Sequence, residues 1–295
     1  MNKLINIIPI ALLAASCTHL SDVQHMPSEP FAQNRESSEA NEKVEYFFDE
    51  FMSLLDKHDE QESGVTMSDL EADLASLCNK YNQYEVNPLD RAYFWDDDKY
   101  TPMQFAARQG NLRMVQLLCS ETYREKVTRS AKTETQELNA LHLAAAGGYV
   151  QLVRYLIEEQ GFNVDAQDGE GASALYYATY GKYINVVHYL VGEAGANVHI
   201  LDKNGLSVLH IAAHVQSRYL TNLFLDKMDA DFVAKKDRKG KKAVDYAKTP
   251  EVQRAFECRR IVQNGVTDGN NMKRTHSLIV SQDQESVKRQ AYMKL

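Results

Sequence analysis

Asn139-Ala140-Leu141-His142-Leu143-Ala144-Ala145-Ala146-Gly147-Gly148-Tyr149 is the stretch that decides the fold. Its pattern recurs as Thr101-Pro102-Met103-Gln104-Phe105-Ala106-Ala107-Arg108-Gln109-Gly110-Asn111, and again from Ser173 to Tyr183 and from Ser207 to Ser217. A fainter copy runs Lys242-Ala243-Val244-Asp245-Tyr246-Ala247. The third residues, Met103, Leu141, Leu175, Leu209 and Val244, are separated by 38, 34, 34 and 35 residues. A unit of that size cannot bury its own apolar face, so copies in register must stack on one another.

Each unit reads alike. An Asp-x-x-Gly turn precedes a Thr or Ser that caps a first helix, and proline in the first turn of that helix loses no needed N–H. Alanines allow close helix approach, a glycine ends the helix, and a second helix follows with apolar residues three and four apart. Asp168-Gly169-Glu170-Gly171, Asp202-Lys203-Asn204-Gly205 and Asp237-Arg238-Lys239-Gly240 are the three complete turns. In the first unit Lys99 stands where the turn glycine is expected, and Arg124 to Thr133 is an insertion that accounts for the long first step. The pattern resembles the ankyrin repeat, across Asp96 to about Arg260. The Asp-x-x-Gly turns and the lack of an aromatic pattern set it apart from the tetratricopeptide repeat of similar period. The resemblance implies a mainly all-α solenoid with short β-finger turns. It also implies a bridging role between repeats for His142 and His210. Tyr176 and Asp245 stand at that position in the third and fifth units, and Lys182 and Gln216 replace the helix-ending glycine in the third and fourth. The fifth unit has a polar second helix with Arg254, Arg259 and Arg260, which suits a C-terminal cap.

The chain has 295 residues, is 44% hydrophobic and carries a formal net charge of -8, which disfavours nucleic acid as a partner. The charge is polarised. Glu36 to Lys99 holds 18 acidic and 5 basic residues, whereas Lys235 to Arg260 holds 10 basic and 4 acidic. Such a distribution either solvates two faces or steers a complementary partner.

Met1-Asn2-Lys3 and the apolar run Leu4 to Ala15 have the form of a signal peptide. The run ends Leu13-Ala14-Ala15-Ser16-Cys17, which resembles a bacterial lipobox, although Ala14 takes the place most often held by leucine. The resemblance implies cleavage before Cys17, lipid on that cysteine and a stable membrane anchor. Thr18, rather than aspartate, follows it and favours the outer membrane, with the rest of the protein in the periplasm.

The expected organisation is a signal peptide over 1–16, a flexible tether over 17–41, an N-terminal helical capping region over 42–95, repeats over 96–260 and a tail over 261–295. Within the cap, apolar spacing from Glu42 to Lys57 predicts a helix, and Ser68-Asp69-Leu70-Glu71 has the form of a capping box. A helix from there to about Tyr81 is expected to bury Leu70, Leu74, Leu77 and Cys78, and Ala92-Tyr93-Phe94-Trp95 is expected to help cover the open end of the stack. Cys78 and Cys119 are either disulfide neighbours or small buried hydrophobes. The tail holds one apolar patch, Leu278-Ile279-Val280.

No catalytic constellation, cofactor motif or metal motif is present in the sequence: Asp96-Asp97-Asp98 lacks EF-hand spacing, and no Cys/His spacing suggests zinc. The expectation is therefore a protein-binding module, monomeric when alone, and not an enzyme. Stacks of this kind bind through finger tips and the open face of the first helices. Those positions are Asp97, Asp98, Tyr100, Arg108, Gln109, Leu138, Glu170, Ala172, Tyr180, Lys203, Asn204, Leu206, His214, Arg238 and Lys239, and the groove is expected to run from acidic at the first repeat to basic at the fifth. The chain also resembles ankyrin-repeat lipoproteins that serve as immunity proteins against lipase effectors exchanged between bacteria. The alternative is a periplasmic scaffold for a resident stress-defence enzyme.

Overall fold

Five apolar side chains, Phe47, Phe48, Phe51, Leu54 and Leu55, are buried along one face of helix α1 (Arg35–Lys57). The computed structural model describes residues 35–57, 66–82, 87–95 and 98–263. Cys17, Asp96, Asp97, the Leu278-Ile279-Val280 patch and most of the expected tether lie outside them. The chain divides into two units, Met1–Pro88 and Leu89–Leu295.

In the first unit α1 packs on α2 (Met67–Tyr81). Phe47 stacks on Phe51, and Tyr81 meets Phe47 edge-on at 5.3 Å. Leu70, Leu74 and Leu77 complete the core. Each such side chain contributes roughly 1.5–3 kcal/mol through burial, so this aromatic seam holds the pair. The exposed ion pair Lys57–Asp73 adds little by comparison. Three expectations are corrected. Helix α1 begins at Arg35, inside the stretch assigned to the tether. The N-cap of α2 is Thr66 rather than Ser68: Thr66 accepts from the Asp69 N–H at 3.2 Å and Asp69 accepts from the Thr66 N–H at 2.9 Å. An aspartate at the third helical position closes the box as a glutamate does, so the helix starts half a turn early. Cys78 is half-buried, because it lies at the edge of the apolar stripe.

The second unit opens with a hairpin, β1 (Tyr93–Trp95) and β2 (Asp98–Tyr100), in which Tyr93 faces Tyr100. Four helix pairs follow: α3 (Pro102–Gln109) with α4 (Leu112–Leu118), α5 (Ala140–Gly147) with α6 (Val150–Glu158), α7 (Ala174–Tyr180) with α8 (Ile184–Gly192), and α9 (Val208–His214) with α10 (Arg218–Lys227). A short helix, α11 (Ala230–Val233), a 3₁₀ turn (Ala243–Tyr246) and α12 (Pro250–Gln263) end the described chain. First helices form one row, α3–α5–α7–α9–3₁₀ turn. Behind it α6 packs on α8 and α10 on α12.

The alanines explain the close row. Ala106, Ala107, Ala144, Ala145, Ala178, Ala212 and Ala213 are fully buried and present only a methyl to the next helix. Thr179 takes one of these places and returns its hydroxyl to the Leu175 carbonyl of its own helix at 2.7 Å, so no polar group is stranded. The insertion over 124–133 is also fastened down. Val127 is buried, the Thr128 N–H donates to Asp90 at 2.7 Å, and Ala131 O accepts from the Gln104 side chain at 2.9 Å. Cys119 is buried as a thiol, and burial pushes its pKa up to about 11 despite the opposing charge of Arg129. No helix among the described residues is long and apolar enough to cross a membrane.

Candidate partner-binding surface

The finger turns are built by their aspartates. Asp168 Oδ1 accepts from the N–H groups of Glu170 and Ala172, Asp202 Oδ1 from Asn204 and Leu206, and Asp237 Oδ1 from Lys239 and Lys241, all at 2.7–2.8 Å. Of the six donor residues, Glu170, Asn204, Lys239 and Lys241 are exposed, Leu206 is half-buried and Ala172 is buried. Thr133 replaces the aspartate in the second finger: its hydroxyl accepts from the Leu138 N–H at 3.1 Å and its N–H donates to the Leu138 carbonyl at 2.9 Å. That turn is one residue longer, and Glu137 adopts φ +53 in the place of glycine.

From the second finger on, one backbone bond joins each finger to the next. The N–H of Gly169 donates to Gln136 O (2.9 Å), Lys203 to Glu170 O (2.8 Å) and Arg238 to Asn204 O (2.8 Å). The tips thus form a continuous row.

The first helices are fixed behind this row by polar bridges. His142 Nδ1 accepts from the Asn139 N–H at 3.2 Å, so Nε2 carries the proton and donates to Ala166 O at 2.9 Å. Gln104 does the same work in the first unit, accepting from Thr101 N–H at 2.7 Å and donating to the Ala131 and Leu138 carbonyls. His210 Nδ1 accepts from the Ser207 N–H. Burial holds both histidines below the usual pKa, hence neutral at pH 7. Both His142 nitrogens are occupied by the backbone, which leaves it neither a proton acceptor nor a ligand to offer. Where Tyr176 takes the histidine position, Ser173 makes no side-chain cap bond.

Sequence reasoning missed two further devices. Tyr149 and Tyr183, which precede the second helices α6 and α8, lie in slots lined by glycine. A Cβ placed on Gly110 falls 2.4 Å from the Tyr149 ring, and one on Gly148 falls 2.3 Å from the Tyr183 ring. Gln216, with φ +55, sends its side chain into the last unit: Nε2 donates to Tyr246 O at 2.9 Å, and Oε1 accepts from the N–H groups of Lys248 and Thr249, both at 2.9 Å. The only available signal was the glycine missing from register at 216.

The expected surface residues divide accordingly. Gln109, Glu170, Lys203, Asn204, His214, Arg238 and Lys239 are exposed, and Arg108, Tyr180 and Leu206 are half-buried. Arg108 lies over the Tyr100 ring at 5.1 Å. Asp98, Tyr100, Leu138 and Ala172 are buried, and these assignments are corrected. Asp98 and Tyr100 are both only 5% exposed because strand residues two apart share a face, here the inner one. Asp98 Oδ1 accepts from the Lys99 and Thr135 N–H groups. Burial opposes its charge, but these bonds outweigh it and hold its carboxyl below the usual range. Leu138, 1% exposed, and Ala172 directly precede N-caps, where their N–H groups close the finger turns. Asp97 lies outside the described residues.

The charge along the tips changes sign. Glu134 and Glu137 lie in the second finger, where Lys99 and Lys132 pair with them at 2.9 and 3.0 Å. Glu170 follows in the third, Lys203 in the fourth, and Arg238 and Lys239 in the fifth. Those pairs offset the second-finger charge, so among the described residues the exposed Glu170 is the acidic pole.

The family model of ankyrin repeats (3 copies) matches residues 124–202. Those residues are an ankyrin-repeat region. Ankyrin repeats generally mediate protein–protein interactions and are typically non-catalytic. Among the described residues no group of three or more His, Cys, Asp or Glu is placed to hold a metal ion. A search of curated proteins finds no match to the chain.

Proposed function

We propose that the protein is a lipid-anchored, periplasmic ankyrin-repeat module that binds and neutralises a secreted phospholipase or lipase. In this reading residues 96–123 and 203–260 are diverged repeats flanking the matched region, and α1 and α2 are an N-terminal cap. The observation that carries the reading is the row of exposed tips from Glu170 to Lys239, joined finger to finger by backbone bonds. Such a row is rigid, polar and free of catalytic grouping, which suits recognition. The Leu13-Ala14-Ala15-Ser16-Cys17 sequence supports attachment to a membrane, with Thr18 favouring the outer one. An inhibitor held there meets an incoming lipase before the lipase meets its substrate.

Two measurements test this. Labelled palmitate should enter the wild-type chain and not Cys17→Ala. The product of the adjacent gene should co-purify with the chain, be toxic to cells lacking it, and be tolerated when it is restored. A neighbour that is not a lipase, or a deletion strain sensitive to stress with no rival cell present, would shift the function to a scaffold for a resident enzyme.

A further inference from the structure

The finger row carries more information than its ability to bind. Lys235, Lys236, Arg238, Lys239, Lys241 and Lys242 are all exposed. Asp237, the single acid among them, is buried, with its carboxylate turned inward to Tyr246 and to the N–H groups of Lys239 and Lys241. The outer surface of the fifth finger is thus wholly cationic. Two fingers away Glu170 is exposed and its neighbour Gly169 adds no charge. Lys203 and Asn204 lie between.

The distance between the two poles follows from packing. Neighbouring helices pack about 8–10 Å apart, and the fingers follow the helices, so two steps span roughly 16–20 Å. An extended chain advances about 3.3 Å per residue, so about six residues cover that span.

We propose that fingers three to five bind an extended segment of a partner protein whose charge reverses along its length. A basic side chain lies opposite Glu170, and a cluster of acidic side chains about six residues away lies opposite Arg238 and its neighbours. The half-buried Leu206, in the fourth finger between the poles, takes an apolar side chain of the same segment. An anionic membrane or a nucleic acid fits less well: both present uniform negative charge, which Glu170 repels. The acidic stretch of a second copy is also nearly uniform, with 18 acids to 5 bases over Glu36 to Lys99.

This rests on the protein-binding reading above. The probe is a labelled synthetic peptide with one lysine, a leucine-containing Gly/Ser spacer and three glutamates, titrated by fluorescence anisotropy into the full chain at low salt. The six-residue spacing is expected to bind about ten-fold more tightly than a two-residue spacing or a peptide with its lysine replaced by glutamate. Arg238→Glu with Lys239→Glu should remove that binding, and Glu170→Lys should reverse the preference between the lysine and glutamate versions. These tips are exposed, and unchanged circular dichroism checks that the variants fold. Affinity that depends only on the number of glutamates overturns the proposal. So do equal binding to phosphatidylglycerol vesicles and an Arg238-dependent dimer in sedimentation. If the finger variants are indifferent to the peptide but abolish capture of the lipase, this charge register is wrong and the binding reading stands. If the lipase is still captured by them, the fingers are not its docking surface: this proposal falls and the lipase-binding reading stands.

Discussion

The same corner is turned with glycine in the first two units and without it in the next two. Gly110 and Gly148 have φ +76 and +78, and Lys182 and Gln216 have +57 and +55. The left-handed backbone is therefore demanded by the stack, and the residue adapts to it. What differs is the space beside the corner. Tyr149 and Tyr183 fill the slots at Gly110 and Gly148. Behind Lys182 the corresponding residue is Ser217, whose small side chain caps α10 instead. Glycine and tyrosine form one device, and a larger corner residue with a serine forms another.

The glycine–tyrosine corner is most sensitive at Gly148. Gly148→Ala adds a left-handed penalty of about 1–2 kcal/mol and an overlap with the Tyr183 ring worth roughly 1–3 kcal/mol. Urea denaturation should show their sum. In a Tyr183→Ser background only the backbone part should remain, and full additivity of the two changes would disprove the slot.

Gln216→Ala comes next. It keeps the strained corner and removes three long-range hydrogen bonds into the last unit, for an expected loss of about 2–3 kcal/mol. Hydrogen exchange should speed up across Ala243 to Gln263 before anywhere else. The same change to glycine tells the two corners apart. At Lys182 it should stabilise by about 0.5–1 kcal/mol, by relieving the left-handed strain. At Gln216 it should still destabilise, because the bridging bonds outweigh the relief.

The smallest effects concern the finger aspartates. Asp168 and Asp237 each accept from a tyrosine hydroxyl, of Tyr177 and Tyr246, nine residues on. Asp202 has Ile211 at that place. Burial, helped by the charge of Asp168, raises the Asp202 pKa. For Asp237 burial is outweighed by Tyr246 and the finger N–H groups, and its pKa is lowered. A raised carboxyl pKa stabilises the fold at low pH, and that contribution is lost as pH rises through the folded value. A lowered one stabilises above the unfolded pKa and is lost as pH falls. Asp202→Asn should thus be mildly stabilising at pH 7, and Asp237→Asn mildly destabilising there. Denaturant midpoints at pH 3 and pH 7 check both signs.

Much of this was legible in the sequence. The register of Leu141, Leu175 and Leu209 placed the helix pairs, and Asp-x-x-Gly placed the fingers, because both depend on local residue chemistry. The bridging of His142 followed from resemblance and is present. What could not be read depends on neighbours a full unit away. The match of Gly148 to Tyr183 pairs residues 35 apart, and the reach of Gln216 to Thr249 crosses 33. Asp98 and Leu138 were expected outside for a related reason. The Asp98 carboxylate is claimed by Thr135 of the next finger, which the insertion over 124–133 displaces in sequence, and the Leu138 N–H by Thr133, which stands in place of the finger aspartate.

The buried tyrosines make the stack readable by light. Sixteen tyrosines absorb in this chain. Burial first, then the charge of Asp168, drives the pKa of Tyr177 far above the ordinary value, and burial raises Tyr155 and Tyr189 to about 12. Phenolate absorbance in an alkaline titration should therefore rise in two stages, the second coinciding with loss of helical circular dichroism. Tyr177, with Tyr155 and Tyr189, reports the opening of the stack in that second stage, with no label added.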